Sequence, residues 1–275
     1  MFRPRATPAF AALLFVVALH GLVQLEAMWL PLAPLRLMQR DWTSMAFLLA
    51  LVRLYRRAEA GRLAASPIPA FLVVFIPVAC FGYSIDRGFF LTATALVALA
   101  LLYAGYQRGR GLALGFWLAV TAGAAAALVL VGFLLQWRFA EFARFTFRIM
   151  PRYKEWMDGL AYPLHLAPMW GIAALAAANL FQLTRHFLVE PRVSFFRRFF
   201  LEICLFCLSV FFFRAALGRA DFVHVSVNSW PAYLLAFCLF GRPLLDRLGP
   251  WSGRATVVAA LALAVICIVR GPRAG

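Results

Sequence analysis

Apolar runs bounded by arginine, glycine or proline follow one another along almost the whole chain. Most of them approach the roughly 20 residues that a helix needs to cross the hydrocarbon core of a bilayer. Because lipid offers the backbone no hydrogen-bond partners, such runs cross it only as helices. The sequence therefore predicts eight or nine transmembrane helices, near residues 8–30, 40–56, 68–84, 88–106, 112–136, 163–183, 199–216, 229–246 and 252–270.

The amino-acid composition excludes a water-soluble fold. Hydrophobic residues make up 64% of the 275 positions and charged residues only 14%, whereas soluble domains average about 45–50% and about 25%. A single core in water cannot cover that much apolar surface, but lipid as solvent removes the difficulty. We therefore predict an all-α, polytopic transmembrane helical bundle that forms one membrane domain over residues 1–275.

The first four runs differ in strength. The run from Pro8 to Leu30 follows the basic segment MFRPR; it is too long for the hydrophobic part of a secretory signal, so we predict a first membrane helix. The second run is the weakest, because its apolar part covers only Trp42 to Val52. The short turn SIDRG joins the third and fourth runs and predicts a helical hairpin.

The net charge of +16 comes from short clusters between the apolar runs, the pattern of loops that flank membrane spans. With the N-terminus inside, fifteen of the 27 basic residues lie on the cytoplasmic side and twelve on the other. The inner residues lie in short loops, where the positive-inside rule applies best. We expect an integral protein of the bacterial inner membrane, surrounded by membrane lipid, with a cytoplasmic N-terminus and no nucleic-acid partner.

The one long segment outside the predicted spans, residues 137–161, begins with a charged stripe. Its charged side chains recur every three or four positions, at Arg138, Glu141, Arg144 and Arg148. Aromatic residues fill the positions between them, which is typical of a helix that lies in the membrane interface and that Pro151 ends. The segment is either a connector without chemistry, or its arginines line a cavity for an anionic headgroup or phosphate.

Ionisable groups inside or at the ends of apolar runs are informative, because each costs a few kcal/mol in lipid unless it is paired or hydrated. Glu26 has no local partner and is a candidate for a polar site that faces outward. Glu202 follows Arg198 by four residues, which is salt-bridge spacing, so we expect a structural role for it. His20, alone in the first run, is typical of a hydrogen-bonded core histidine.

Cysteine and histidine spacing does not indicate a metal or a haem. Cys204 and Cys207 form a C-x-x-C pair, but it lies in the apolar stretch LEICLFCLSVFFF without the further ligands that a metal site needs. His20 and His165 are the one pair at matching depth, which is little support for haem ligation. We therefore expect structural cysteines, no metal and no cofactor.

Two groups of charged residues face the same predicted outer side as the arginine-striped segment. Asp86 and Arg87 lie in the hairpin turn, and a second group, in LGRADFVHVSVNSWP, consists of Arg219, Asp221 and His224. An acidic residue three positions before a histidine polarises the imidazole if the segment is helical, and neighbouring arginines bind phosphate by paired hydrogen bonds. Arg-Asp pairs also cap helix ends without chemistry, and both interpretations stay open.

The YSIDRG turn and the later GRADFVH motif, with an amphipathic outer loop between them, resemble the C-terminal part of GT-C-type membrane glycosyltransferases. The resemblance covers roughly residues 80 to 270. It implies many membrane helices, an outward-facing cavity and a polyprenyl-phosphate sugar as donor. It further implies that Arg219 and His224 contact the lipid-linked phosphate and that Asp86 and Arg87 line the same cavity.

The sequence departs from that family in its first outer loop, where such enzymes carry an acidic residue or pair that serves as base or metal ligand. The corresponding loop is LPLAPLRLMQRDW, in which Asp41 stands alone, and the chain contains no D-D or D-x-D pair. Either Asp41 or Glu26 would fill the role. The candidate catalytic residues are thus Asp221, His224, Asp41 and Glu26, and the candidate phosphate-binding residues are Asp86, Arg87, Arg144, Arg148 and Arg219.

Three functions are compatible with these features. The first is a membrane transferase that uses a polyprenyl-phosphate sugar and activates an acceptor hydroxyl by general-base catalysis. The second is a transporter or flippase for a lipid-linked or anionic substrate, for which inverted repeats would be expected and none is evident. The third is a non-catalytic scaffold subunit that docks a protein partner on the outer loop. No Walker loop, dinucleotide fingerprint, H-E-x-x-H or G-x-S-x-G motif indicates a soluble enzyme.

Overall fold

The computed structural model describes residues 33–63, 67–106, 114–150, 152, 167–217, 228–241, 243 and 247. In these ranges the chain is helical with short turns and contains no strand, which confirms the predicted all-α class for the described part. The predicted first and ninth spans lie outside the described residues.

The described residues form nine α-helices. In chain order they are α1 (Ala33–Glu59), α2 (Pro67–Cys80), α3 (Ile85–Tyr106), α4 (Leu114–Leu134), α5 (Phe139–Arg144), α6 (Ala167–Val189), α7 (Arg192–Arg198), α8 (Phe200–Leu217) and α9 (Trp230–Ala236). Two of them, α5 and α9, continue directly into π-helical turns at Phe145–Ile149 and Phe237–Gly241.

Three of the described helices are long and apolar enough to cross a membrane: α3, α4 and the part of α6 from Met169 to Val189. The 22 residues of α3 extend about 33 Å at 1.5 Å per residue, which matches a hydrocarbon core about 30 Å thick. The described part of the chain is therefore an all-helical assembly with three candidate membrane spans.

The predicted hairpin is confirmed by α2 and α3, which residues 81–84 connect. The predicted first outer loop is wrong, because Ala33–Trp42 forms the first turns of α1 and Asp41 lies in that helix. The charged residues there interrupt the apolar run, but leucine, methionine, glutamine and arginine all favour helix. Hydrophobicity thus located the apolar part of α1 but not its beginning.

The helices run up and down between two ends, which we name after a residue at each. At the Glu59 end, the Tyr106 hydroxyl at the end of α3 donates a hydrogen bond to the Glu59 carboxylate at the end of α1. Arg197 of α7 also lies there and donates from Nε to the carbonyl oxygen of Gly105 at 2.6 Å. The Asp86 end, opposite, contains the α2–α3 turn and the beginning of α9.

Two hydrophobic clusters stabilise the bundle. The larger one joins α1, α2, α3, the beginning of α4 and the first half of α8, with Phe47, Leu91 and Phe200 fully buried. The smaller one joins α6, α7, α8 and α9 around Leu235. Between helices in lipid such clusters stabilise through close van der Waals packing rather than through transfer from water, so the contacts between helices, rather than the loops, determine the arrangement of the charged residues.

A seam of small residues joins α4 to α2. The buried positions of α4 are spaced by three or four residues: Phe116, Ala119, Gly123, Ala127 and Val131. A Cβ atom at Gly123 would lie only 2.5 Å from the carbonyl oxygen of Phe71 in α2. Small residues at this spacing allow two helix backbones to approach closely, as in many membrane helix pairs.

After α4 the chain reverses direction in a tight turn. Gln136 and Trp137 adopt positive φ angles of 51° and 61°, and the Trp137 amide donates to the Gly132 carbonyl at 2.7 Å, the arrangement that commonly ends a helix. The predicted helix of the arginine-striped segment follows as α5 and its π-helical turn, and its predicted end at Pro151 lies outside the described residues.

Candidate functional site

Asp86 and Arg87 both lie in the first turn of α3, but their surroundings differ. Asp86 is exposed, whereas Arg87 is only 7% exposed. The Arg87 guanidinium donates from Nη2 to Oδ1 of Asn228 at 2.8 Å, and its Cζ lies 3.9 Å from the ring centroid of Phe212. Hydrogen bonding and stacking of this kind offset the cost of burying a charge. Arg87 therefore connects α3 to α8 and to the residues that precede α9.

Arg219, Asp221, His224 and Glu26 lie outside the described residues, although Asn228 follows His224 by only four positions in the sequence.

The beginning of α1 lies near the Asp86 end. Cys80, at the end of α2, donates from Sγ to the Thr43 hydroxyl at 3.5 Å. Asp41 precedes Thr43 by two residues, so this candidate carboxylate belongs to the helix that begins at the Asp86 end.

The arginine-striped helix also lies at the Asp86 end. The ring of Phe147 contacts that of Phe89 in α3, with centroids 6.1 Å apart. Arg144 and Arg148 are both exposed, and among the described side chains neither forms an ion pair with Asp86. The predicted phosphate-binding residues of α3 and α5 thus share one end of the bundle without direct contact.

A cavity lies at the opposite end of the molecule. It has a volume of about 790 Å³ and is lined by α1, α6, the α7–α8 junction and the residues after α9. On α6 its lining residues are spaced by three, one and three positions, at Gln182, Arg185, His186 and Val189. This spacing defines one face of a helix. The last two turns of α6 therefore present a mostly polar face to the cavity.

Glu190 connects two of the basic side chains of this cavity, those of Arg198 and His186. Its Oε1 accepts a hydrogen bond from Nη1 of Arg198 at 3.0 Å and lies 3.3 Å from Nδ1 of His186. The Nε2 atom of His186 lies 3.4 Å from Nε2 of Gln182. In one arrangement, Nδ1–H of His186 donates to Glu190 and Nε2 accepts from the Gln182 amide. Each of these groups then has a hydrogen-bond partner. Packing against Phe199, at 4.6 Å between centroids, further fixes the imidazole.

Two further arginines, Arg185 and Arg247, line the cavity and are exposed. Within the part of the chain that the structure describes, neither has a hydrogen-bond or ion-pair partner. The acidic residue in the lining is Glu202, for which we predicted a structural role. The lining therefore contains three guanidinium groups and one carboxylate, and Glu190 supplies a second carboxylate to Arg198, so positive charge exceeds negative charge by one and favours an anion.

A second cavity of about 460 Å³ adjoins the first, since Tyr55 and Arg198 line both. It also contains Glu59 and Arg197. The Arg197 guanidinium lies 4.8 Å from the ring centroid of Tyr106, so the residues that join α1, α3 and α7 also form the wall of this cavity.

Sequence reasoning missed Arg185, His186, Glu190 and Arg247 as residues of a site. The signal was present on α6, where Gln182, Arg185 and His186 share a helix face and a carboxylate follows the histidine by four residues. Arg247 carried no such signal, because a single arginine after an apolar run resembles an ordinary flanking charge.

Comparison of the chain with protein-family models, with curated proteins and with solved structures found no match. The resemblance to GT-C-type transferases therefore depends on the motifs YSIDRG and GRADFVH alone.

Proposed function

We propose that this chain is a multi-pass protein of eight or nine spans in a bacterial inner membrane that transfers sugar from a polyprenyl-phosphate donor at the Asp86 end. The observation that supports the proposal is that described residues on or near the segments named from the sequence are in contact at this end. Arg87 binds Asn228 just beyond the GRADFVH motif, and Phe89 contacts Phe147 of the arginine-striped segment.

In this proposal Asp221 orients and polarises His224, which accepts the proton of the acceptor hydroxyl as it attacks the sugar. Arg219, Arg144 and Arg148 bind the phosphate that leaves with the lipid. Asp86 lines the outward-facing cavity that the resemblance implies, and Asp41 or Glu26 supplies a further carboxylate.

We propose a role for Arg87 that differs from the cavity-lining role that the resemblance implied. Because its guanidinium already contacts Asn228 and Phe212, we propose that it positions the segment before α9 instead of binding phosphate.

The test is glycan synthesis by the purified protein in vesicles that contain a polyprenyl-phosphate sugar. Asp221→Asn and His224→Ala should abolish product, because the base is lost, while both variants insert and purify normally. Glu141→Gln is the matched control, since it removes an exposed carboxylate from the same end and should leave the product unchanged. Undiminished product from both Asp221→Asn and His224→Ala would exclude this mechanism.

A transporter for an anionic or lipid-linked substrate is the second candidate, and the basic cavity at the Glu59 end favours it. A transporter requires a binding site that can be reached from that side, whereas a transferase at the Asp86 end does not. The same vesicles distinguish the two functions: transport predicts movement of the labelled lipid across the bilayer without a covalent product.

A further inference from the structure

We propose that the cavity at the Glu59 end is a binding site for a phosphate group, which Arg185, Arg198 and Arg247 contact through their guanidinium groups. This site lies at the opposite end of the bundle from the proposed transferase site, so the inference does not depend on the proposed function.

The charge of the lining selects an anion. Three arginines line the cavity with one carboxylate, that of Glu202, and a second carboxylate, that of Glu190, pairs with Arg198, so the arginines still outnumber the carboxylates by one. Neither Arg185 nor Arg247 has a hydrogen-bond or ion-pair partner among the described residues, and both are exposed. A guanidinium group binds two oxygen atoms of a phosphate at once through parallel, charge-assisted hydrogen bonds.

Arg198 is already oriented for such a ligand. Its Nη1 atom donates to Glu190, whose side chain is 16% exposed, and Glu190 also contacts His186. Gln182 and Phe199 restrain the imidazole from the other two sides. Because the side chain is positioned before the ligand arrives, less conformational entropy is lost on binding.

The number and shape of the donors favour phosphate over carboxylate. A carboxylate presents two oxygen atoms, which one guanidinium satisfies, whereas a phosphate presents at least three and can engage all three arginines. Glu202 repels any anion in the cavity. Contacts with three arginines offset this repulsion better than a contact with one arginine does, which again favours phosphate.

The cavity has room for more than the phosphate itself. Its volume is about 790 Å³, and its lining includes the apolar side chains of Val189, Phe199 and Leu239. A phosphate group attached to an apolar substituent fits both surfaces. This ligand is either the phosphomonoester headgroup of a membrane lipid or a soluble phosphate, and the experiment has one arm for each source.

The experiment uses the full-length protein in dodecyl maltoside, a detergent without phosphate. One arm titrates inorganic pyrophosphate by calorimetry, and the other measures retention of labelled phosphatidic acid in mixed micelles. The wild type should bind one of these probes. The double variant Arg185→Ala/Arg247→Ala should bind it at least about tenfold more weakly, because two charge-assisted hydrogen-bonded contacts are lost.

Two further variants make the result specific. Arg192→Ala is the matched control, because it removes an exposed arginine at the same end that does not line the cavity; it should leave affinity unchanged. The variant Arg185→Lys/Arg247→Lys keeps the charge but loses the two-pronged geometry, so its affinity should fall between those of the wild type and the alanine variant. Absence of binding in both arms, or equal affinity in the wild type and the alanine variant, would overturn the proposal.

Discussion

Arg87 is a charged side chain buried inside an apolar bundle, where it contacts Asn228 and Phe212. The sequence identified it as a phosphate ligand because it lies beside Asp86 in a turn. Its actual partner, Asn228, lies 141 residues away along the chain, a separation at which local spacing carries no information. The contacts of His186, by contrast, are with residues four positions away on either side and were readable from the sequence.

The contact between Arg87 and Asn228 leads to a prediction about stability. Asn228→Leu removes a buried hydrogen bond to a charged group, which contributes about 1.5–3 kcal/mol. We expect a clear decrease in the midpoint of thermal unfolding, measured in the same detergent as the wild type.

The control for this change is Asp86→Asn, next to Arg87 but exposed. It should alter stability by no more than about 0.5 kcal/mol. If Asn228→Leu unfolds at the wild-type temperature, the hydrogen bond does not stabilise the fold.

At the scale of helices, apolar runs and turn residues predicted the α2–α3 hairpin, α4 and α8 close to their observed bounds, whereas α6 continues to Val189, six residues past its predicted end at residue 183. They failed at the beginning of α1, because helix propensity extends that helix through charged residues that do not belong in lipid. They also could not predict which helices pack together, because a helix that is apolar on all sides does not show in its sequence which face contacts another helix. The close approach of α2 and α4 depends on Gly123, which composition alone does not distinguish from other glycines.

Gly123 provides the second prediction. Gly123→Ala adds a methyl group within 2.5 Å of the Phe71 carbonyl oxygen, a backbone atom that cannot rotate away. Forcing the two helices apart should destabilise the protein by about 1–3 kcal/mol, measurable as earlier unfolding in a chemical denaturant.

Gly115 offers a matched comparison, because it lies in the same helix but is exposed. Gly115→Ala should be neutral or stabilising, by up to about 1 kcal/mol, since alanine favours helix over glycine. Equal behaviour of the two variants would mean that the seam between α2 and α4 tolerates a wider spacing.

For the molecule as a whole, the alternation of predicted spans assigned several charged residues to the end where the structure has them. Arg57, Arg185 and Arg197 lie at the Glu59 end, and Asp86 and the arginine-striped helix lie at the other, as the alternation of spans predicted. The cavity was not predictable, because its lining comes from four separate parts of the chain.

The arrangement of the two ends predicts opposite accessibility across the membrane. In a background without the five native cysteines, Arg57→Cys and Asp86→Cys introduce thiols at exposed positions of the Glu59 end and the Asp86 end. With the N-terminus in the cytoplasm, a membrane-impermeant maleimide should label Asp86→Cys in intact cells and Arg57→Cys only in inside-out vesicles. Labelling of both from the same side would contradict a bundle that crosses the bilayer.

The packing of α4 has a mechanical consequence. Among the described helices α4 packs mainly against α2, while its other sides expose large apolar residues such as Leu118, Leu128 and Phe133. In a pulling experiment on single molecules in a bilayer, the seam with α2 would supply most of the resistance to the removal of α4 from its neighbours. We expect α4 to detach in its own low-force step, with the helices around α8 still folded and the cavity at the Glu59 end intact.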